Sequence, residues 1–210
     1  MDETYPATYS VDYPDRELDR VTSFFRIFTV IPIAIVLALV SGETWNIPAG
    51  GANDAGATVA SAGGLIVLAT VLMILFQAKY PRWWFDWNRE LLRFGFRVHA
   101  YFVLMSDEYP STDEQQYVHL ELAYPNVEED LSRWMPIVKW FLAIPHYIVL
   151  FFLFIGAFFC AIAAWFAILF TGRYPRSLFD FQMGVQRWLL RVIAYAFALV
   201  TDRYPPFSLD

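Results

Sequence analysis

Charged residues are scarce in this sequence. Asp, Glu, Lys and Arg make up 17% of its 210 residues, and none of them occurs from Trp140 to Gly172. A soluble domain carries about 25% charged residues, and a helix needs about 20 consecutive apolar residues to cross a bilayer. Because hydrophobic residues make up 58% of the chain, the composition argues against an ordinary soluble domain and predicts an integral membrane protein.

Residues that carry chemistry are scarce as well. Cys160 is the only cysteine, which excludes an internal disulfide and a cysteine-based metal site. The three histidines, His99, His119 and His146, occur without an HExxH motif, a Cys–His set or a nucleophile elbow. We therefore expect no enzyme activity, no metal and no cofactor. We expect His146 to bond a neighbouring backbone carbonyl and His119 to be solvated.

Positive charge is in deficit, with a net charge of −6. Nucleic acids are bound through basic residues that neutralise phosphates, so we expect no nucleic-acid partner. The basic residues that are present cluster in Arg16–Arg26, Lys79–Arg97, Arg133–Lys139 and Arg173–Arg191. Such regions face the cytoplasm in membrane proteins. The pattern therefore predicts a multi-pass protein of the cytoplasmic membrane with its N-terminus in the cytoplasm.

A seven-residue string occurs twice. Residues 80–86 read YPRWWFD and residues 174–180 read YPRSLFD. At this constant offset of 94, ten of the 22 positions in Tyr80–Tyr101 and Tyr174–Tyr195 are identical. Upstream, RVTSFFRIFTVIP aligns with RWMPIVKWFLAIP. Because shared apolar composition does not place Tyr, Pro, Arg and Asp in register, we interpret the chain as a tandem duplication.

The duplication divides the chain into two units with polar segments around them. Unit 1 covers residues 20–105 and unit 2 covers residues 131–201. An acidic N-terminal segment, residues 1–19, precedes them, an acidic linker, residues 106–130, separates them, and residues 202–210 form a C-terminal tail.

Unit 2 also carries a family resemblance. The residues concerned are RWMPIVKWFLAIPHYIVLFFL, ILFTGRYPRSLFDFQMGVQRWLLRVIAYAFALVTDRYPPFSL and the duplicated YPR-x-x-FD. They resemble the prokaryotic DUF4389 family of integral membrane proteins, over nearly all of unit 2 and more loosely over unit 1. The function of that family is unassigned, so the resemblance implies a prokaryotic membrane protein and adds no chemistry.

Each unit contains two apolar stretches and a third stretch with a stripe of arginines. In unit 1 the apolar stretches are Phe24–Val40 and Thr58–Gln77; in unit 2 they lie between Leu131 and Gly172, with Gly156 near a turn. A basic stripe opposite Trp, Phe and Leu is typical of a helix in the headgroup plane. The predicted fold is an all-α integral membrane protein, with two transmembrane helices and one interfacial helix per unit. The alternative has three transmembrane helices per unit in an inverted repeat.

The repeated charged residues are the candidate site. We expect contact with lipid headgroups or anions from six arginines: Arg82, Arg93, Arg97, Arg176, Arg187 and Arg191. Asp86 and Asp180 follow Tyr-Pro dipeptides that should begin helices, so we expect them in a first turn, where they favour the helix dipole and pair with a neighbouring arginine. The alternative for these two acids is an ion or proton site.

These expectations define a function. We expect a non-catalytic structural or accessory membrane protein whose partners are membrane lipids. A homo-oligomer or a membrane-protein partner stays open. The alternative is a small ion or solute channel or transporter built from the duplicated unit, since internal repeats occur in transporters.

Overall fold

Two strands and six α-helices make up most of the described chain, which comprises residues 5–41, 67, 69–77, 79–112, 114, 116–127, 131–132 and 134–210 of this computed structural model. The strands are β1 (Ala7–Val11) and β2 (Val118–Leu122), and a π-helical turn covers Met73–Gln77. The helices are α1 (Arg20–Phe24), α2 (Arg26–Ser41), α3 (Arg82–Phe102), α4 (Met135–Leu142), α5 (Ile144–Thr171) and α6 (Arg176–Ala196).

The strands form a two-stranded antiparallel sheet in which Tyr9 lies opposite Leu120. Each strand alternates buried and exposed residues, as a strand with one covered face does. The predicted all-α fold is therefore wrong. Both strands come from segments that we interpreted as acidic and polar, and each is only five residues long. The alternation of so short a strand is hard to recognise among the surrounding charged residues, and the partner strand lies more than a hundred residues away.

Helices α3 and α6 cover the sheet. They begin directly after Pro81 and Pro175, which confirms that the two Tyr-Pro dipeptides begin helices. The two helices are antiparallel neighbours, since the Tyr80 hydroxyl at the start of α3 donates to the Ala198 carbonyl beyond the end of α6, at 3.0 Å. In α6 most residues are buried, because the sheet lies on one side and α5 on the other.

Helices α2 and α5 form an outer layer, α2 on α3 and α5 on α6. Helix α5 is continuous for 28 residues and ends at Gly172, whose φ of 74° is the left-handed conformation that favours glycine. Gly156 lies within this helix, against the ring of Phe181, and not at a turn. The buried residues of α5 form one narrow stripe: His146, Leu150, Ala157, Ala164 and Ile168.

The predicted number of crossings is also wrong. In the described part of the chain one helix, Ile144–Thr171, is long and apolar enough to cross a membrane, and Arg26–Ala38 is a shorter apolar helix. The expected turn near Gly156 is absent because no proline or charged residue follows Pro145 within α5. Residues 42–66, which include the beginning of the other expected crossing, lie outside the described residues, as does Arg133.

The C-terminal tail packs on α6 at Gly184. A Cβ atom at this position would lie 2.9 Å from both the Cβ and the carbonyl oxygen of Leu209, which is closer than such contacts occur. We expect Gly184→Ala to release the tail and to lower the free energy of unfolding by about 1–3 kcal/mol, the usual cost of overpacking. Carboxypeptidase digestion and denaturant titration in detergent would measure both effects.

The matched control is Gly156→Ala, where the nearest ring atom of Phe181 is 3.4 Å from the added Cβ. This contact is only slightly tight, and alanine is the better helix former by about 1 kcal/mol. Equal digestion of the two variants would contradict a role for Gly184 in seating the tail.

Candidate functional site

Two of the candidate arginines hold the strands. Arg93 Nε donates to the Leu120 carbonyl at 2.8 Å, and Arg187 Nε donates to the Tyr9 carbonyl at 2.9 Å. These arginines occupy matching positions in α3 and α6, and the two carbonyls belong to residues that face each other across the sheet. Each guanidinium therefore fixes a strand that comes from the other half of the chain.

The next turn of each helix repeats this arrangement with the segments that follow. Arg97 Nη1 donates to the Ser111 carbonyl at 3.0 Å. Arg191 Nη2 donates to the carbonyls of Ser208 at 2.9 Å and Asp210 at 2.6 Å. Arg97 and Arg191 are both buried. The arginine stripe thus lies on one helical face, as the spacing indicates, and this face meets backbone carbonyls inside the protein.

Arg82 and Arg176 are exposed at the starts of α3 and α6. Arg176 lies over the ring of Tyr13 at 4.4 Å, and Arg82 lies over the ring of Tyr124 at 5.6 Å. Such cation–π contacts contribute little at exposed positions, about 0.5–1 kcal/mol. Of the six candidate arginines, these two have the guanidinium groups most accessible from outside.

The repeated acids are the fifth residues of α3 and α6 and lie just past the first turns in which we expected them, and each pairs with a nearby arginine. Asp86 contacts Arg89 Nη2 at 3.3 Å, and Asp180 contacts Arg176 Nε at 3.5 Å. Their side chains are 44% and 51% exposed, and because α3 and α6 are antiparallel, the two acids lie at opposite ends of this helix pair. Among the described residues no three His, Cys, Asp or Glu side chains form a group that could hold a metal ion.

A buried lysine is the functional group that sequence reasoning missed. Lys139 belongs to a basic cluster that we expected to face the cytoplasm, but it is fully buried. Its Nζ contacts Asp202 at 2.7 Å and donates to the Thr201 carbonyl at 2.8 Å. Burial lowers the pKa of Lys139, and the Asp202 carboxylate opposes this shift. Arg26, which aligns with Lys139 in the repeated segment, is also buried and donates to the Ser106 carbonyl at 2.9 Å.

The histidines have separate surroundings. His146 is buried; its Nδ1 accepts a hydrogen bond from Trp188 Nε1 at 3.0 Å, and its ring stacks on Phe207. The expected bond to a backbone carbonyl is therefore replaced by one to an indole. His119 lies on β2, half exposed, 3.0 Å from Asp12. His99 lines a cavity between helices.

Many large apolar side chains are exposed on three helices, α2, α4 and α5. We name this surface the outer apolar face; it consists of the exposed apolar residues of α2, α4 and α5. On α5 they are Ile144, Ile148, Phe151, Phe152, Phe154, Ile155, Phe158, Phe159, Ile162, Phe166 and Phe170. On the other two helices they include Ile27, Phe28, Ile31, Ile35, Val36, Val40, Ile137, Val138 and Phe141.

Comparison with known proteins agrees with the resemblance found in the second unit. Residues 133–208 match the family model of a domain of unknown function, DUF4389. This confirms the resemblance for that part of the chain. Neither the curated proteins nor the solved structures that were compared contain a match to the chain.

Proposed function

We propose that this protein is a non-catalytic membrane-surface protein that inserts its outer apolar face into one leaflet of a bilayer. The observation that carries the proposal is the exposure of large apolar side chains along the whole length of α5. Phe151, Phe152, Phe158 and Phe159 are each more than 60% exposed. Transfer of one such side chain out of water is favourable by about 1.5–3 kcal/mol, so four supply a large driving force.

The position of the sheet favours a helix α5 that lies in the plane of the membrane. Ala157 lies at the middle of α5 and contacts Gln182 of α6, and Leu150 packs on Trp188. Leu150 is about 10 Å from the helix middle, whereas the hydrocarbon layer extends about 15 Å from the bilayer centre. In an upright α5, the part of α6 around Trp188 would therefore be at hydrocarbon depth.

Strand β1 would enter the hydrocarbon with it, because Arg187, next to Trp188, is bonded to Tyr9. Within the described residues the sheet has two strands, and lipid offers no hydrogen-bond partner to an open strand edge. Glu121 of the same sheet forms an ion pair with Arg93 of α3, and an upright α5 would carry this pair toward the hydrocarbon as well. With α5 in the plane, the sheet faces water and the outer apolar face meets the acyl chains.

Four exposed basic residues fit this orientation. Arg173 and Arg176 lie at the end of α5, and Lys79 and Arg82 lie at the start of α3. Because α3 and α6 are antiparallel, these two groups lie at opposite ends of the molecule, where each can reach a phosphate of the same leaflet. A guanidinium binds phosphate through two parallel hydrogen bonds. Because Arg82 and Arg176 are exposed, they are the arginines that we propose for headgroup contact. The alternative, a channel, has less support, because Asp86 and Asp180 are partly exposed and lie at opposite ends of the α3–α6 pair.

The test measures depth along α5. Single spin labels at Phe152, Phe159 and Phe166, each in a Cys160→Ala background, report the distance of one helical face from the phosphates of phosphatidylglycerol-containing vesicles. We expect three equal depths. An upright helix would place residue 159 deepest and the other two about 10 Å nearer the phosphates. Failure of the protein to float with vesicles would contradict membrane binding itself.

A further inference from the structure

A cavity of about 480 Å³ lies between α2, α3 and α6. Its walls are largely apolar and include Ala34, Leu37, Leu91 and Gly95. A smaller cavity of about 120 Å³ lies on the other side of the α3–α6 contact, against α5. His99 and Gln186 line both cavities. The larger one has about three times the volume of an engineered apolar cavity that holds benzene, ~150 Å³.

The cavity lies where the two halves of the chain differ. Gly95 occupies the position that Leu189 has in α6, so a whole side chain is missing from this contact. Gln186 occupies the position of Leu92, and His99 that of Ile193. The three differences fall at different positions of the aligned repeats. The antiparallel packing of α3 and α6 nevertheless brings Gly95, His99 and Gln186 together at the cavity. The two halves therefore differ by a missing side chain at Gly95, which leaves the cavity, and by two polar side chains beside it, His99 and Gln186.

One polar side chain that lines the cavity lacks hydrogen-bond partners within the described part of the chain. Gln186 is 1% exposed, and both its Nε2 and its Oε1 have no hydrogen-bond partner among the described residues. Burying an unpaired amide is costly, and native proteins rarely leave one so. Burial lowers the pKa of His99 to about 4, so its ring is neutral at pH 7 and offers one donor and one acceptor.

We propose that the cavity between α2, α3 and α6 binds a single-chain, uncharged lipid, with its aliphatic chain along Leu37 and Leu91 and its polar group on Gln186 and His99. Among the described residues the lining contains no charged side chain, so a carboxylate or phosphate would lie in this apolar site without a counter-ion, which is unfavourable. A hydroxyl both donates and accepts, as the amide and the imidazole require. The inference rests on the proposed function only for the source of the lipid.

The experiment uses photolabelling in detergent micelles, so that it does not depend on membrane binding. Hexadecanol with a mid-chain diazirine is irradiated with the full-length protein, and the labelled peptides are identified by mass spectrometry. We expect label on α2 and α3 at the cavity. Gly95→Leu places in the cavity the side chain that Leu189 has in α6, and should abolish this label. Gln186→Leu keeps the volume and should lower the apparent affinity about tenfold, the value of one hydrogen bond.

The controls separate the site from general lipid uptake. Hexadecanoic acid with the same diazirine, ionised at pH 9, should label the cavity less than the alcohol. Ser10→Ala, on the exposed side of β1, should leave the labelling unchanged. Equal labelling of the native protein and Gly95→Leu, or stronger labelling by the ionised acid, would overturn the proposal. Vesicle flotation of the same variants reports on the proposed function separately, and we expect it to be unchanged.

Discussion

Asp202→Ala is expected to lower the free energy of unfolding by about 3–5 kcal/mol, which is typical when one partner of a buried ion pair is removed. The Lys139 ammonium is fully buried and lies 2.7 Å from the Asp202 carboxylate. Without the carboxylate its remaining partners are the Thr201 carbonyl and the ring of Tyr195, so a charge stays buried without a counter-ion. Denaturant titration in detergent, followed by tryptophan fluorescence, would measure the loss.

Two further variants show whether the buried charge is the cause. Asp180→Ala removes an ion pair whose two side chains are both more than half exposed, and such pairs contribute about 0.2–1 kcal/mol. The double variant Lys139→Met with Asp202→Asn removes both charges and should recover most of the stability. If Asp202→Ala is no less stable than Asp180→Ala, the ion pair does not hold α4 to the segment after α6.

Phe152→Glu combined with Phe159→Glu is expected to detach the protein from vesicles. The two rings lie on one face of α5 and are 66% and 62% exposed, so the exchange changes the surface and leaves the core intact. Loss of the two transfers alone weakens membrane binding by about 3 kcal/mol or more, a factor of about 100. The measured quantity is the fraction of protein that floats with vesicles in a density gradient.

The matched control for this variant places the same charges on the sheet. Thr8→Glu combined with Ser10→Glu changes two exposed residues of β1, on the side that faces water in the proposed orientation. We expect this protein to float as the native protein does. Equal loss of binding in both double variants would show that general negative charge, and not the outer apolar face, decides membrane binding.

The sequence was sufficient to predict α3 and α6, because their arginines recur at helical spacing and each helix follows a Tyr-Pro dipeptide. It was not sufficient to predict what those arginines contact. Periodicity identifies the face of a helix on which Arg93 or Arg187 lies, but headgroup phosphates and backbone carbonyls are both acceptors for a guanidinium. The choice between them depends on the position of the strands, which the helix sequence does not contain.

The strands and the buried lysine were missed for related reasons. Strand alternation in Ala7–Val11 and Val118–Leu122 is weak over five residues, and long-range pairing leaves no local signal. Asp202 lies in TDRYP, which resembles SDEYP after α3. The recurrence of an acid at Asp107 and Asp202 indicates that both are structural, but it does not identify Lys139 as the partner of Asp202. Distant contacts of this kind are set by the assembly of the layers.

The pairing of Tyr9 with Leu120 also determines when the protein can finish folding. Synthesis proceeds at about 5–20 residues per second, so β1 is made roughly 5–20 s before β2. During that time Arg187, which fixes β1, has not been made either, and β1 is an unpaired strand that is open to other chains. The halves of this protein therefore do not mature one after the other on the ribosome. They complete each other only after synthesis has reached Arg187, which fixes β1.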